Sequence, residues 1–297
     1  MKRHPVILGF ALLAVIGLFF FLILRLFVSF GEETRNFSFR DKIGVVPIEG
    51  VLSDSKDTIR QLDRYERDNG IKAVVLRIDS PGGAVVPSQE IYDKVLQVKK
   101  SKKVVVSMGS VAASGGYYIA CAADRIIANP GTITGSIGVI VQFSQIEDLL
   151  RKVGLKTTVV KAGRYKDVGS PVREMTPPEK ALIQGVIDDI HDQFIEAVVL
   201  NREISRKEIE QIADARIFTG RQALEAGLVD GLGNMDHAID TAAELAGIEG
   251  KPEVVYPEKK RKGLLRYIAR ETISSISEEL RGSGSGIDYL YKPGCGM

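Results

Sequence analysis

The residues that first suggest chemistry lie in Gly109-Ser110-Val111-Ala112-Ala113-Ser114-Gly115-Gly116-Tyr117-Tyr118-Ile119-Ala120-Cys121-Ala122. Ser114 sits there among small residues, between a strand pattern at Val104–Val106 and a small-residue helix pattern over Ala113–Ala123. A hydroxyl at a strand-to-helix turn meets two requirements of acyl transfer. The helix start favours negative charge, and its free backbone N–H groups can bind an oxyanion. A structural N-cap serine would sit in the same place, and this stretch alone leaves both readings open.

A second glycine motif, Asp79-Ser80-Pro81-Gly82-Gly83, directly follows the strand pattern that ends at Ile78. It reads as a Pro-Gly-Gly turn exposing N–H groups at the carboxyl end of a parallel strand, where α/β sheets place their sites. Pro-Gly also punctuates ordinary loops, so the motif gains weight only as the second glycine-lined turn beside a strand. A general base is harder to find. Of the three histidines, His4 precedes an apolar run, while His191 and His237 fall within helical patterns, His191 between Asp189 and Asp192 on a face that reads as exposed. A Ser-His-Asp triad is therefore poorly supported. The remaining option is a lysine kept neutral by burial, against an ordinary lysine pKa of about 10.4. The loop Gly163-Arg164-Tyr165-Lys166-Asp167 holds the best-placed candidate, although a loop lysine is ordinarily solvated.

The elements that must position these residues alternate. Strands are expected at Ile43–Ile48, Ala73–Ile78, Val104–Ser107, Arg125–Ala128, Val139–Val141, Thr157–Val160 and Arg216–Phe218. Helices are expected over Lys56–Arg67, Ser88–Val98, Ala113–Ala123, Gln145–Val153, Pro177–Arg202, Ser205–Ala213, Arg221–Ala226 and Asp236–Ala246. This alternation predicts an α/β domain with mostly parallel strands. The long irregular stretch Ala162–Met175 reads as a functional loop. It ends at Thr176-Pro177-Pro178-Glu179, a Thr cap with proline at the first helical position and Glu three residues after the cap. The helix that follows carries Ile183, Val186, Ile187, Ile190, Phe194 and Val198 as one apolar stripe.

Composition bounds the classes. The chain has 297 residues, a formal net charge of +2 and 44% hydrophobic residues, enough for a sizeable core and without a basic stripe for nucleic acid. Two cysteines, Cys121 and Cys295, allow one disulfide at most, and Cys121 reads as a small core residue. No CxxC or HExxH spacing occurs, so neither a metal nor another cofactor is expected. Val6–Leu24 carries no charge and approaches the roughly 20 residues of a transmembrane helix. It is too long, and lacks the A-x-A cleavage pattern, for a secretory signal peptide. Lys2 and Arg3 ahead of it favour a cytoplasmic N-terminus with the rest of the chain outside the cytoplasm. The expected organisation is a stub and membrane helix over residues 1–29, a tether over 30–42, the main domain over 43–250, and an amphipathic helix (Leu264–Leu280) with a flexible tail over 251–297. The tail's Ile287-Asp288-Tyr289-Leu290-Tyr291, after a Gly-Ser linker, reads as disordered by default, with docking in a groove of its own or a neighbouring subunit as the alternative.

The ordered set of D-S-P-G-G, A-A-S-G-G-Y-Y, T-G-S-I-G-V and R-Y-K-D-V-G-S-P-x-R-E-M-T behind an N-terminal span resembles the signal peptide peptidase A family of membrane-anchored serine proteases, over roughly residues 43–250. The resemblance implies the Clp-protease/crotonase-like fold of repeated strand-strand-helix units. It also implies a Ser-Lys dyad of Ser114 and Lys166, Ser136 orienting the lysine amine, and oxyanion donors at Gly83 and Gly115. A single copy of the unit resembles the short members, which implies a homo-oligomeric ring whose neighbouring subunits complete one another's sites. The implied substrates are remnant signal peptides, and small or misfolded secreted proteins, in or near the cell membrane. Two other readings compete: a crotonase-type acyl-CoA hydrolase or lyase, and a non-catalytic peptide-binding membrane scaffold.

Overall fold

The computed structural model describes residues 16–22, 41–257 and 287–290, the last as backbone. The chain divides into two units, Met1–Arg40 and Asp41–Met297. In the first, residues 16–22 are helical with exposed side chains, and the rest of the expected span lies outside the described residues. Among the described residues no helix is long and apolar enough to cross a membrane. The expected amphipathic helix at Leu264–Leu280, the Gly-Ser linker and Cys295 also lie outside them.

The second unit is built on a sheet whose central strands are β1 (Lys42–Glu49), β2 (Ile71–Ser80) and β4 (Lys103–Ala113), with β5 (Arg125–Ala128) and β9 (Gly231–Leu232) beyond β4 and β10 (Glu253–Val255) beside β1. All these neighbours pair in parallel. Val74, Val75, Leu76 and Ile78 of β2, and Val104, Val105 and Val106 of β4, are fully buried. Such unbroken apolar runs belong to parallel strands covered on both faces. One face packs under α1 (Lys56–Arg67), α2 (Val85–Lys99), α3 (Gly115–Ala120) and the second half of α5 (Pro177–Asn201), through Leu62, Ile91, Val95, Tyr117 and Phe194. The other face packs under α8 (Met235–Leu245) through Ala238, Ala242 and Ala243, small enough to bring that helix close. The remaining helices are α4 (Glu147–Lys152), α6 (Arg206–Glu210) and α7 (Gly220–Glu225).

Two features depart from the parallel plan, and both concern the candidate site. β6 (Ile133–Gly135) joins the far end of β4 and pairs antiparallel with β8 (Ile217–Thr219). A separate antiparallel sheet is ordered β3 (Gly82–Ala84), β11 (Ile287–Leu290), β7 (Ile140–Val141).

Several expectations change. Gly82-Gly83 is a strand rather than a bare turn, because the Leu52 N–H donates to Gly82 O (2.8 Å) and the Ala84 N–H to Leu52 O (2.8 Å). The helix expected over Ala113–Ala123 spans only Gly115–Ala120, since pairing with β6 keeps Val111, Ala112 and Ala113 in β4. The helix expected over Ser88–Val98 begins at Val85, which places Ser88 inside it and buries it. Thr157–Val160 is exposed and forms no strand: β-branched residues favour strands only where an edge receives them. The stripe on α5 is buried at Phe194 and Val198, while Val186, nearer its start, is 40% exposed. His191 is half-buried, with an Nε2 that has no hydrogen-bond partner, rather than on an exposed face. The tail's Ile287–Leu290 forms a strand, against the default reading of disorder.

Candidate active site

Ser114 stands where β4 ends and α3 begins, with φ 53° and ψ −118°, and is 1% exposed. A non-glycine residue in that region is strained and needs surroundings that over-determine it. They do: the Ser114 N–H donates to Gly135 O (2.8 Å), its carbonyl accepts from the Tyr118 N–H (2.8 Å), and Ala113 is in register with Gly135. The Ser114 side chain makes no capping hydrogen bond. The structural N-cap reading thus loses its defining contact, while the strained turn that would present a nucleophile is in place.

Ser136 follows Gly135 directly and shares the unusual backbone, with φ of 51° at Ser136 and 76° at Gly135. Its N–H donates to Arg216 O (2.8 Å), so the β6–β8 pairing fixes the turn. A side chain on Gly135 would run into the Phe218 ring, 2.5 Å from an added Cβ. Below the turn, Thr134 Oγ1 donates to Ala112 O (2.7 Å) and Thr132 Oγ1 to Gly109 O (2.7 Å), tying β6 to the end of β4.

The two glycine motifs converge. A Cβ on Gly115 would lie 3.3 Å from the Gly83 nitrogen and 2.5 Å from Ser88 Oγ, and one on Gly83 would lie 2.3 Å from Leu52 O. Only glycine permits this approach of backbone to backbone. Asp79, from the first motif, accepts from the Val111 N–H through Oδ1 (3.1 Å), and Ser80 Oγ accepts from the Gly82 N–H (3.1 Å) while donating to Gly50 O (2.6 Å). Leu52, Ser80 and Ser88 are thus part of the site's frame, a role the sequence assigns to none of the three. The D-S-P-G-G motif contains Ser80 and the pattern marks Ser88 only as a helix cap, while nothing local marks Leu52.

Ser114, Gly115, Gly83 and Ser136 are therefore neighbours, and Lys166 is not joined to them. It lies in the turns after Gly163, its backbone N–H donating to Gly163 O (3.3 Å), and its side chain is exposed. Among the described residues, no hydrogen bond links the Ser114, Ser136 and Lys166 side chains. Cys121, by contrast, is fully buried in the core, and burial pushes its thiol up to about 12, against the smaller opposing pull of Arg202. It is inert packing.

The tail adds a strand to this site. Tyr289 is in antiparallel register with Gly83, Leu290 with Gly82 and Asp288 with Ala84, and on its other side Ile287 pairs with Val141. An extended segment thus runs alongside the strand next to Ser114. The open cavity of about 370 Å³ lined by Leu150, Leu155, Thr157 and Val172 contains none of the candidate residues.

The family model described as Peptidase family S49 matches residues 96–249, and the Clp protease model matches residues 45–132. The chain belongs to peptidase family S49. Its fold is the Clp-protease-like one that the motifs imply, and the S49 match takes in Ser114, Ser136 and Lys166. Relatives named SppA and Protease 4 place the chain in the signal peptide peptidase A branch of S49. It is 46% identical to a protease-named protein of Synechocystis over 214 residues, 71% of this chain and 77% of that one. It is 34% identical over 224 residues to Protease 4 of Haemophilus influenzae, covering 72% of this chain but 36% of that protein. It is 30% identical over 270 residues to the chloroplastic serine protease SPPA of Arabidopsis thaliana, covering 85% of this chain and 38% of that protein. S49 membership makes this chain a peptidase.

Proposed function

We propose that the chain is a membrane-anchored serine endopeptidase that uses Ser114 as nucleophile and Lys166 as general base on extended, apolar peptides such as remnant signal peptides. The observation that carries the peptide reading is β11, a stretch of chain held in antiparallel register on Gly82–Ala84 beside Ser114. Adding a strand to an exposed edge gives affinity through main-chain bonds and tolerates many sequences. An acyl-CoA site has no use for such an edge. A non-catalytic scaffold has no use for a strained serine whose hydroxyl caps nothing.

In this reading Lys166, without its proton, accepts the hydroxyl proton as Ser114 Oγ bonds to the scissile carbonyl carbon. The oxyanion is received by the N–H groups of Gly83 and Gly115. Collapse breaks the C–N bond, the lysine ammonium gives its proton to the leaving amine, and water then hydrolyses the ester by the same route in reverse. Ser136, one residue past the carbonyl that holds the Ser114 N–H, orients the amine.

The dyad closes between neighbouring subunits of a homo-oligomeric ring. Two observations support this: Ser114 is buried in the domain while Lys166 is exposed, and apolar surface is concentrated in the Lys166-bearing half. Leu149, Val153 and Leu155 are each about 60% exposed, Val160 is 96% exposed, and the first half of α5 leaves Leu182 and Val186 uncovered. Patches of this kind mark association surfaces. The experiment is peptide hydrolysis by the full chain in detergent, with Ser114→Ala and Lys166→Ala. Loss in both supports the dyad; near-wild-type cleavage by either removes it. Hydrolysis of a CoA thioester with no cleavage of peptides would turn the reading to the acyl-CoA enzyme.

A further inference from the structure

The segment that carries Lys166 has little regular structure to hold it. It is a chain of turns, with the Val168 N–H bonded to Tyr165 O (3.1 Å) and the Ser170 N–H to Asp167 O (3.0 Å), and Gly163 and Gly169 at φ 94° and 76°. Two ties fix its far end: the Ile146 N–H donates to Pro171 O (2.7 Å), and Phe143 lies against Gly169. The side-chain tie next to Lys166 is of another kind. Arg173 donates from Nε to Asp167 Oδ2 (2.8 Å) and from Nη2 to Asp167 Oδ1 (2.8 Å) and to Asp167 O (3.2 Å). The same guanidinium donates to both Glu179 oxygens, at 2.9 and 2.5 Å, and to Glu174 O at 3.0 Å. Glu179 is 3% exposed and is itself fixed at the start of α5, where it accepts from the Thr176 N–H (2.8 Å) and Thr176 Oγ1 (2.9 Å).

We propose that Arg173 is the positioning residue for Lys166, clamping the Lys166 turn to the first turn of α5 and keeping the Asp167 carboxylate engaged so that it does not become the counter-ion of the lysine. The proposal rests on the dyad reading above. A planar fork with five N–H donors can hold two carboxylates at once in fixed directions, and an ammonium cannot reproduce this. The engagement of Asp167 matters because a free carboxylate beside a lysine favours its protonated form, and a general base must lose its proton. The charged groups that pair with Asp167 are Lys161 and Arg173; Arg173 also pairs with Glu179 on α5, Lys180 on α5 pairs with Glu174 on the following segment, and Arg164 on the same segment lies over the Tyr165 ring.

The test is the pH dependence of kcat and KM for an internally quenched apolar peptide, with the full chain in detergent. Arg173→Lys is expected to lower kcat about 30-fold or more with KM within twofold, and to move the acidic limb of the profile up by about one pH unit. Asp167→Asn is expected to lower kcat but not to raise the limb, because no carboxylate is released. An Arg173→Lys profile that overlays the wild type, or the same upward displacement in Asp167→Asn, overturns the proposal. Should Arg173→Lys fail to fold, Glu179→Gln, which cuts the tie to α5 and leaves Asp167 paired, is expected to lower kcat at least tenfold with the limb unmoved; wild-type kcat there overturns the proposal as well. Lys166→Ala separates the two claims. Activity in that variant sinks the dyad itself, whereas a dead Lys166→Ala beside a wild-type Arg173→Lys sinks only the clamp.

Discussion

At the scale of single residues, the site depends on backbone that ordinary side chains would not permit. Ser114 and Ser136 hold positive φ, an added Cβ on Gly115 would lie 3.3 Å from the Gly83 nitrogen, and a methyl group on Gly83 would overlap the Leu52 carbonyl oxygen, 2.3 Å away. Gly83→Ala is therefore expected to distort β3, lowering thermal stability by about 1–3 kcal/mol and abolishing peptide cleavage, as read by thermal unfolding and a peptide assay. Ser114→Ala removes the hydroxyl and leaves the hydrogen bonds of its backbone, so its unfolding temperature should stay within a few degrees of wild type while kcat falls at least about a thousandfold. Loss of fold in Ser114→Ala would mean that the serine serves structure.

At the scale of elements, the strands and helices that bury apolar runs were legible from the sequence. The pieces that build the site were legible only in part. Arg125–Ala128 is found as predicted, and α1 likewise, because period and burial agree there. β3, β6 and β11 have no counterpart among the expected strands, and neither do β9 and β10 of the main sheet. Three-residue strands such as Gly-Gly-Ala and Ile-Thr-Gly are too short to show periodicity, and β11 exists only through partners distant in sequence. The strand expected at Thr157–Val160 failed for the converse reason, propensity without a partner. Of the candidate residues, Ser114, Gly83, Gly115 and Ser136 are brought together by β4, β3 and β6, while Lys166 lies on an exposed turn that, among the described residues, makes no side-chain hydrogen bond to them.

Two predictions belong to this scale. Ending the chain after residue 286 removes β11 and opens the Gly82–Ala84 edge, so the initial rate on an added peptide should rise several-fold; an unchanged or lower rate would show that β11 does not occupy the substrate's place. The second concerns acid. Arg173, and then the Thr176 N–H, pull the Glu179 carboxyl from its ordinary 4.5 down to about 2, and Arg173, then Lys161, hold Asp167 well below its usual range. Carboxylates depressed in the folded state add stability above their unfolded pKa and lose that contribution as pH falls through the folded value. The unfolding temperature of the wild type should thus fall towards that of Glu179→Gln between about pH 4.5 and 2. A constant gap between them across that window would refute the linkage.

At the scale of the whole molecule, the match covers about a third of Protease 4 from Haemophilus influenzae, and the proposed ring has each Ser114 meet the Lys166 of a neighbouring copy. Mixing settles where it closes. Ser114→Ala and Lys166→Ala chains, each inactive, should regain up to about a quarter of wild-type activity when co-assembled, because a Ser114→Ala neighbour lends its Lys166 to the Ser114 of its partner. No regain in verified mixed assemblies would place the dyad within one chain.

The most direct test of the central claim is intact-mass analysis of the full chain after treatment with a fluorophosphonate probe, with the adduct mapped by peptide sequencing. The account predicts one adduct, on Ser114, formed in the wild type and at least about a hundredfold more slowly in Lys166→Ala. An adduct on another residue, or equal labelling of Ser114 in Lys166→Ala, would contradict it.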